Sequence, residues 1–326
     1  MLFAFSLLSA SLFTLKVSAE AQQSGKVSRI GFLAGASASF NAPQVKTFQQ
    51  GLRELGYIEG KNIVIEYRYA DGKLDRLPDL AADLVRLKVD LIVTNANLPG
   101  VLAAKKATRT IPIVFLAFSD PVASGLVDSL ARPGGNITGL TTGAPELAGK
   151  RLELLKESVP KLSRIIVISN PTNPAVALQW KATEAAAQGL GVQLRSVEVR
   201  SASDFDSAFS VITNERAQAL LTMSDPLNNS QAKRIIEFAI KHRLPAIYAN
   251  PEFVDRGGLM SYAPSYAELY RRTAYYVDKI LKGVKPADLP VEQPKKFELI
   301  INLKAAKQIG LTIPPTVLAR ADKVIK

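Results

Sequence analysis

From Ser28 onward, apolar positions alternate between two spacings along the chain. Short apolar runs of strand length, over residues 29–33, 90–94 and 111–118, are separated by segments whose apolar residues recur every three or four positions. Residues 43–55 show the second pattern: Val45, Phe48, Leu52 and Leu55 share one helical face, and Gly56 stands where a left-handed cap would end the helix. Residues 62–69 form a further predicted strand, and residues 77–87 and 99–107 predicted helices. Strands that alternate with amphipathic helices imply a parallel sheet covered on both faces.

The same order then recurs. Strands are predicted at 164–169, 192–199, 219–223 and 245–248, with helices at 174–190, 205–214 and 230–242 between them. Landmarks keep nearly constant spacing: Ile30 and Ile165 lie 135 residues apart, as do Leu55 and Leu190, while Pro112 and Pro245 lie 133 apart. Two βα halves therefore follow one another. The tail departs from the repeat, with one long amphipathic helix over 266–281, a proline-rich connector over 285–294, an extended run over 297–302 and a short helix near 304–309. A tail that adds a helix and then a strand to two finished halves is expected to cross back between them. The predicted class is α/β, with two Rossmann-like lobes, each around a parallel sheet, joined by a multi-crossover hinge. The expected division is 28–143 plus about 262–284 for the first lobe, and 144–261 plus about 285–326 for the second. Hinge passages are expected at 144–149 and 257–263.

Composition adds exclusions. The 326 residues are 47% hydrophobic and 21% charged, enough for two full cores, and the absence of cysteine removes disulfides, thiolate metal sites, a cysteine nucleophile and a lipid-modified anchor. The net charge of +12 is scattered over helix faces. Its densest cluster, Lys241-His242-Arg243, ends a helix, where cations suit the macrodipole. No basic stripe interleaved with aromatics is present, so nucleic acid is not an expected partner. Residues 1–17 are nearly all apolar or small, too short a run for the ~20 residues of a membrane-spanning helix. Small residues follow at Val17-Ser18-Ala19 and Ala19-Glu20-Ala21, so residues 1–21 are expected to be a signal peptide that sends the chain to the periplasm, with no basic region before the apolar run.

In open α/β sheets, ligands bind beyond the carboxyl ends of the strands. Those ends carry small, hydroxyl, amide or single-carboxylate side chains in both halves: Ser37, Asn95, Ser119 and Asp120 in the first, and Asn170, Asp225 and Asn250 in the second. Phe118 and Tyr266 stand near the loop openings, suited to stack on an apolar part of a ligand. Asp120 and Asp225 each precede a proline, so each is a candidate helix cap as well as a ligand contact. Tyr248 and Tyr262 are expected in the core. Enzyme signatures are missing. His242 is the only histidine and lies at a helix end, which leaves no Ser-His-Asp triad or histidine metal site. The Gly143–Lys150 spacing fails as a phosphate loop, and no dinucleotide fingerprint follows a strand. Glu146, Glu252 and Asp255 are expected as solvated loop charge.

Several stretches resemble the ABC transporter substrate-binding proteins of the TrpX-like family. They include Arg29-Ile30-Gly31-Phe32-Leu33, Gly51-Leu52-Arg53-Glu54-Leu55-Gly56-Tyr57 and Gly60-Lys61-Asn62-Ile63. The most specific is Ala131-Arg132-Pro133-Gly134-Gly135-Asn136-Ile137-Thr138-Gly139, and Pro290-Val291-Glu292-Gln293-Pro294 with Phe297-Glu298-Leu299-Ile300-Ile301-Asn302 continues the match. The resemblance runs from about Ser28 to Ile325. It implies a type I periplasmic-binding fold, no catalysis, no cofactor and no metal, and a small-molecule ligand (an amino acid or similar) held between the lobes. It also implies delivery to an ABC importer, a permease with its cytoplasmic ATPase, touched only peripherally at the membrane. A ligand sensor without transport, or an enzyme on a doubly wound fold, are the competing readings. No arginine stands at a strand end to mark a carboxylate.

Overall fold

A computed structural model describes residues 27–95, 97–117, 120–141 and 146–326. The first half runs β1 (Ser28–Ala34), α1 (Ala38–Glu54), β2 (Ile63–Tyr69), α2 (Leu77–Arg86), β3 (Leu91–Asn95), α3 (Asn97–Ala107), β4 (Ile113–Ala117) and β5 (Ile137–Thr141). The second half runs α4 (Glu146–Ser158), β6 (Arg164–Ser169), α5 (Pro174–Leu190), β7 (Gln193–Glu198), α6 (Asp204–Asn214), β8 (Ala219–Thr222), α7 (Pro226–Ser230), α8 (Ala232–Lys241), β9 (Ala246–Tyr248), α9 (Glu252–Asp255) and β10 (Met260–Pro264). The tail supplies α10 (Tyr266–Leu281), β11 (Phe297–Asn302), α11 (Leu303–Ile309), α12 (Pro315–Leu318) and β12 (Lys323–Ile325).

Two sheets result. The first has the order β2-β1-β3-β4-β5, all parallel. The second, read from β7, begins β7-β6-β8-β9-β10 and so repeats that order before adding β11 and β12. The duplication visible in the sequence is thus a duplication of topology. Central strands are buried along nearly their whole length, β6 except for its first residue, because helices cover both faces. The edge strands β2 and β7 are less buried, β2 mostly half-buried and β7 mostly half-buried or exposed. One departure from a parallel sheet is β11, which pairs antiparallel with β10 from Met260 opposite Ile301 to Pro264 opposite Phe297.

The chain changes sheets three times. It passes from β5 to α4, and returns at Ser265, after which α10 lies against α1 of the first half. It leaves again between Glu292 and β11. The passage at 257–263, expected as a hinge, runs into β10 and is paired inside the second sheet, so the crossing falls just beyond it. Before the third crossing the chain is tied to the edge of the first sheet: Thr141 N donates to Glu292 O at 2.9 Å, and Glu292 N to Gly139 O at 3.0 Å. Arg272 of α10 forks onto the Glu292 carboxylate at 2.8 and 2.6 Å, which holds that carboxyl below its ordinary value. This geometry joins α10, β5 and the third crossing in one knot.

Helix α1 begins five residues earlier than its apolar period predicts and carries Pro43 inside it. Ser37 caps it, its hydroxyl accepting from Phe40 N at 3.3 Å. A proline lacks the N–H that would bond the carbonyl four residues back, here that of Ser39. That freed carbonyl accepts from Arg256 Nη2 of the second half at 2.5 Å. A local defect in the helix has become a contact between lobes.

Gly139 decides how closely β4 and β5 can approach. A methyl group there would sit 2.1 Å from Phe115 O and 2.7 Å from Phe115 N. Gly139→Ala should force the strands apart and cost about 2–3 kcal/mol, an overpacking penalty. Thermal melts followed by circular dichroism should show Tm lower by roughly 5 °C or more.

Candidate functional site

The carboxyl ends of both sheets face one another, and the first two turns of α1 fill much of the space between them. Phe40 is 3% exposed and belongs to the core of the second half, with its ring 6.0 Å from that of Phe253. The Arg256 guanidinium lies 5.2 Å from the ring centre of Phe40. Gly72 approaches α7 so closely that a β-carbon there would lie 3.0 Å from Leu227 Cα. The two lobes are therefore closed on one another.

Between them lie two compartments. The polar one, of about 30 Å³, is lined by Asn41, Gln44 and Asn95 from the first half, Ser224, Asn229 and Asn250 from the second, and Tyr266 at the crossing. Asn95 Nδ2 donates to Asn41 Oδ1 at 2.9 Å, and Asn41 Nδ2 to Ser37 O at 2.8 Å, so these amides are already oriented. Asn250 Oδ1 accepts from Glu252 N at 3.1 Å. The second compartment, of about 410 Å³, includes Met223, the chain neighbour of Ser224, and its wall is mostly apolar: Ala148, Ala175, Leu178, Leu221 and Met223. Asp120, Arg151 and Lys181 are its charged members.

Arg151 is the unexpected member. It comes from α4, not a strand end, and is 3% exposed. Its Nε donates to Tyr262 O at 2.8 Å, and burial pushes its guanidinium down to about 10. Its Nη2 also reaches Ala249 O at 3.5 Å. The sequence signal was present only as one basic residue on a helix with several; its burial follows from packing.

The sequence candidates divide into three groups. Asn95, Asn250, Tyr266 and Asp120 line the compartments, although Asp120 is exposed and its Oδ1 also accepts from Val122 N and Ala123 N at 2.9 and 3.0 Å. Ser37, Asn170 and Asp225 serve the backbone. Asn170 Oδ1 accepts from Thr172 N at 3.1 Å and its amide turns to Asp225. The Asp225 carboxylate, fully buried, accepts from Leu227 N and Asn228 N at 2.8 and 3.2 Å and from Asn173 Nδ2 at 2.8 Å. Phe118 and Ser119 fall outside the described residues. Tyr248 is in the core as expected, and His242 ends α8 with its ring 4.5 Å from that of Phe238. Asn41, Gln44 and Asn229 were missed because they sit inside helices, where an amide gives no local sign of facing a cleft.

Glu252 overturns an expectation. It is 6% exposed, not a solvated charge, because α9 turns it inward toward α1, where Gln44 Nε2 donates to its Oε1. Burial pushes its carboxyl up to about 8. Asp255, by contrast, pairs at the surface with Lys323 at 3.0 Å. Among the described residues no group of three or more His, Asp or Glu is placed to hold a metal, and no helix is long and apolar enough to cross a membrane.

Asp225→Ala would strand two backbone N–H groups and the Asn173 amide in a buried place. The expected cost is about 3 kcal/mol, from the lost cap and the unsatisfied donors. Chemical denaturation should show it as a lower midpoint in the absence of any solute.

With this geometry in view, likeness to known proteins is informative. A tyrosine-binding protein of Clostridioides difficile is 29% identical over 266 residues, covering 82% of this chain and 76% of that one. The crystal structure of an ABC domain in complex with L-Trp from Streptococcus pneumonia superposes with TM-score 0.83 at 28% identity, over 91% of this chain and 99% of that one. The ligand-free, open structure of a substrate-binding protein with adhesive properties from Clostridium difficile covers 92% of this chain and 100% of its own at 27% identity, but with TM-score only 0.62. The better fit to the liganded protein agrees with the closed lobes seen here. The whole arrangement is the type I periplasmic-binding fold. Residues 36–325 match the family described as ABC transporter substrate binding protein. The chain belongs to that family, and is the extracytoplasmic, non-enzymatic component that holds a small-molecule solute for an ABC transporter.

Proposed function

We propose that the solute is an aromatic or similarly amphipathic amino acid, bound in the larger compartment between the lobes. One observation carries this: an apolar cavity of about 410 Å³ with the buried Arg151 on its wall and Asp120 at its edge. That volume lies in the usual range for small-molecule sites, roughly 300–1,000 Å³. An apolar wall receives a ring, a buried guanidinium receives a carboxylate in two parallel hydrogen bonds, and an acidic edge suits an ammonium. The relatives named for tyrosine and found with L-Trp lend support at 29% and 28% identity. The amides of Asn41, Asn95, Asn229 and Asn250 then seal the neighbouring compartment as the lobes meet. Phe118 and Ser119 belong to the same reading through their place at a strand end.

Transport follows from closure. The two lobes rotate about the three crossings, the solute bridges them, and the closed form is favoured to the extent that solute touches both. In this reading residues 1–21 direct export to the periplasm and are removed. The closed protein then docks on a membrane permease driven by a cytoplasmic ATPase.

A thermal-shift and calorimetric survey of the mature protein tests the ligand class. L-Trp, L-Tyr and L-Phe should be compared with other amino acids, short carboxylates, sugars and nucleosides. At least one aromatic amino acid should raise Tm by several degrees and saturate. Tryptamine, which lacks the carboxylate, should bind at least tenfold more weakly than L-Trp, and Arg151→Met should remove that difference. A sugar or nucleoside that shifts Tm while no aromatic amino acid does so would overturn the assignment.

A further inference from the structure

Solute recognition makes no use of the buried contact between Gln44 of α1 and Glu252 of α9. The two residues come from opposite lobes and are 3% and 6% exposed. Gln44 Nε2 donates to Glu252 Oε1. Their remaining oxygens, Gln44 Oε1 and Glu252 Oε2, are both buried and both lack a partner among the described residues. An amide facing an ionised carboxylate presents three acceptor oxygens and donates only through its NH2. Two buried oxygens left without donors are costly. One proton satisfies both. If Glu252 Oε2 carries it, the acid O–H donates to Gln44 Oε1 while the amide N–H donates to Glu252 Oε1, a reciprocal ring of two hydrogen bonds.

We propose that closing the lobes takes up one proton on Glu252, which completes an acid–amide pair with Gln44 and makes the closed state more favoured as pH falls. The proposal rests on the reading that the lobes open and close, and on no particular solute.

The surroundings agree in sign. Burial raises Glu252 to about 8 and outweighs its own backbone N–H, Arg256 and the Gln44 amide, which lower it, while the nearby Asp255 adds to the rise. Arg256 is engaged with Ser39 O, and Asp255 with Lys323 of β12. From α10, Tyr270 presents a buried phenol whose oxygen also lacks a partner, and its acidity is weakened first by burial and next by the Glu252 charge. When the lobes part, Glu252 leaves Gln44 for water and returns toward the ordinary glutamate value of about 4.3. Its pKa is therefore higher in the closed state. Between the two values the closed form holds a proton that the open form lacks, so each unit of falling pH favours closure by up to tenfold. Above about 8 both forms are ionised, and below the open-state value both are protonated, so the dependence is flat outside that window.

The chain has no cysteine, so a pair of spin labels can be placed without background. Lys73→Cys and Lys233→Cys put labels at exposed positions on opposite lobes. Pulsed electron-electron distance measurements on the solute-free mature protein should show the ratio of short to long distances rising at least tenfold from pH 8 to pH 5. In Glu252→Gln, whose amide imitates the protonated acid, that ratio should stay constant and match the unsubstituted protein at pH 5. A ratio that does not change with pH in the unsubstituted protein refutes the proposal, as does a Glu252→Gln ratio that changes in parallel. No solute enters the experiment, so its outcome is independent of whether aromatic amino acids bind.

Discussion

The closed molecule depends on the first two turns of α1. They begin at a strand end of one lobe and bury Phe40 in the core of the other. Full burial of such a ring is worth about 1.5–3 kcal/mol, and that gain exists only while the lobes are together. The polar partners follow from the same placement. Once Phe40 is seated, Gln44 meets Glu252 and the Ser39 carbonyl released by Pro43 meets Arg256. An unbroken helix would have consumed that carbonyl internally, so the proline is part of how one lobe recognises the other.

Beside this contact the cleft separates two uses of polar groups. Asp225, Asn170 and Asn173 form a closed network in which every carboxylate oxygen accepts from a donor. That network shapes the entry to α7 and is stable by itself. The wall of the larger compartment is different: it places a buried guanidinium, bonded to the carbonyls of Tyr262 and Ala249, beside apolar side chains.

The crossings set what kind of motion is available. Glu292 is bound by backbone to β5 and by side chain to Arg272 of α10, so the third strand of the hinge is anchored firmly on the first lobe. Pairing of β10 with β11 anchors the other ends on the second lobe. Bending is thereby confined to a few residues between rigid attachments, which is the condition for lobes to move as bodies.

The sequence alone determined the alternation of strands and helices, the tandem duplication, the tail helix at Tyr266–Leu281 and the position of the cleft at the strand ends. These properties are carried by local periodicity and by handedness rules that hold for any parallel sheet. It also marked Asp225 as cap and contact alike, because both roles use the same short carboxylate before a proline; only the tertiary structure shows the four donors that surround it. Arg151, Gln44 and Glu252 could not be found that way. Each is an ordinary polar residue on a helix, and its burial arises from contacts between segments far apart in the chain, as with Gln44 and Glu252, 208 residues apart. Desolvation, which gives those groups their altered acidity and their demand for partners, is a property of the assembled cleft and of no local stretch of sequence.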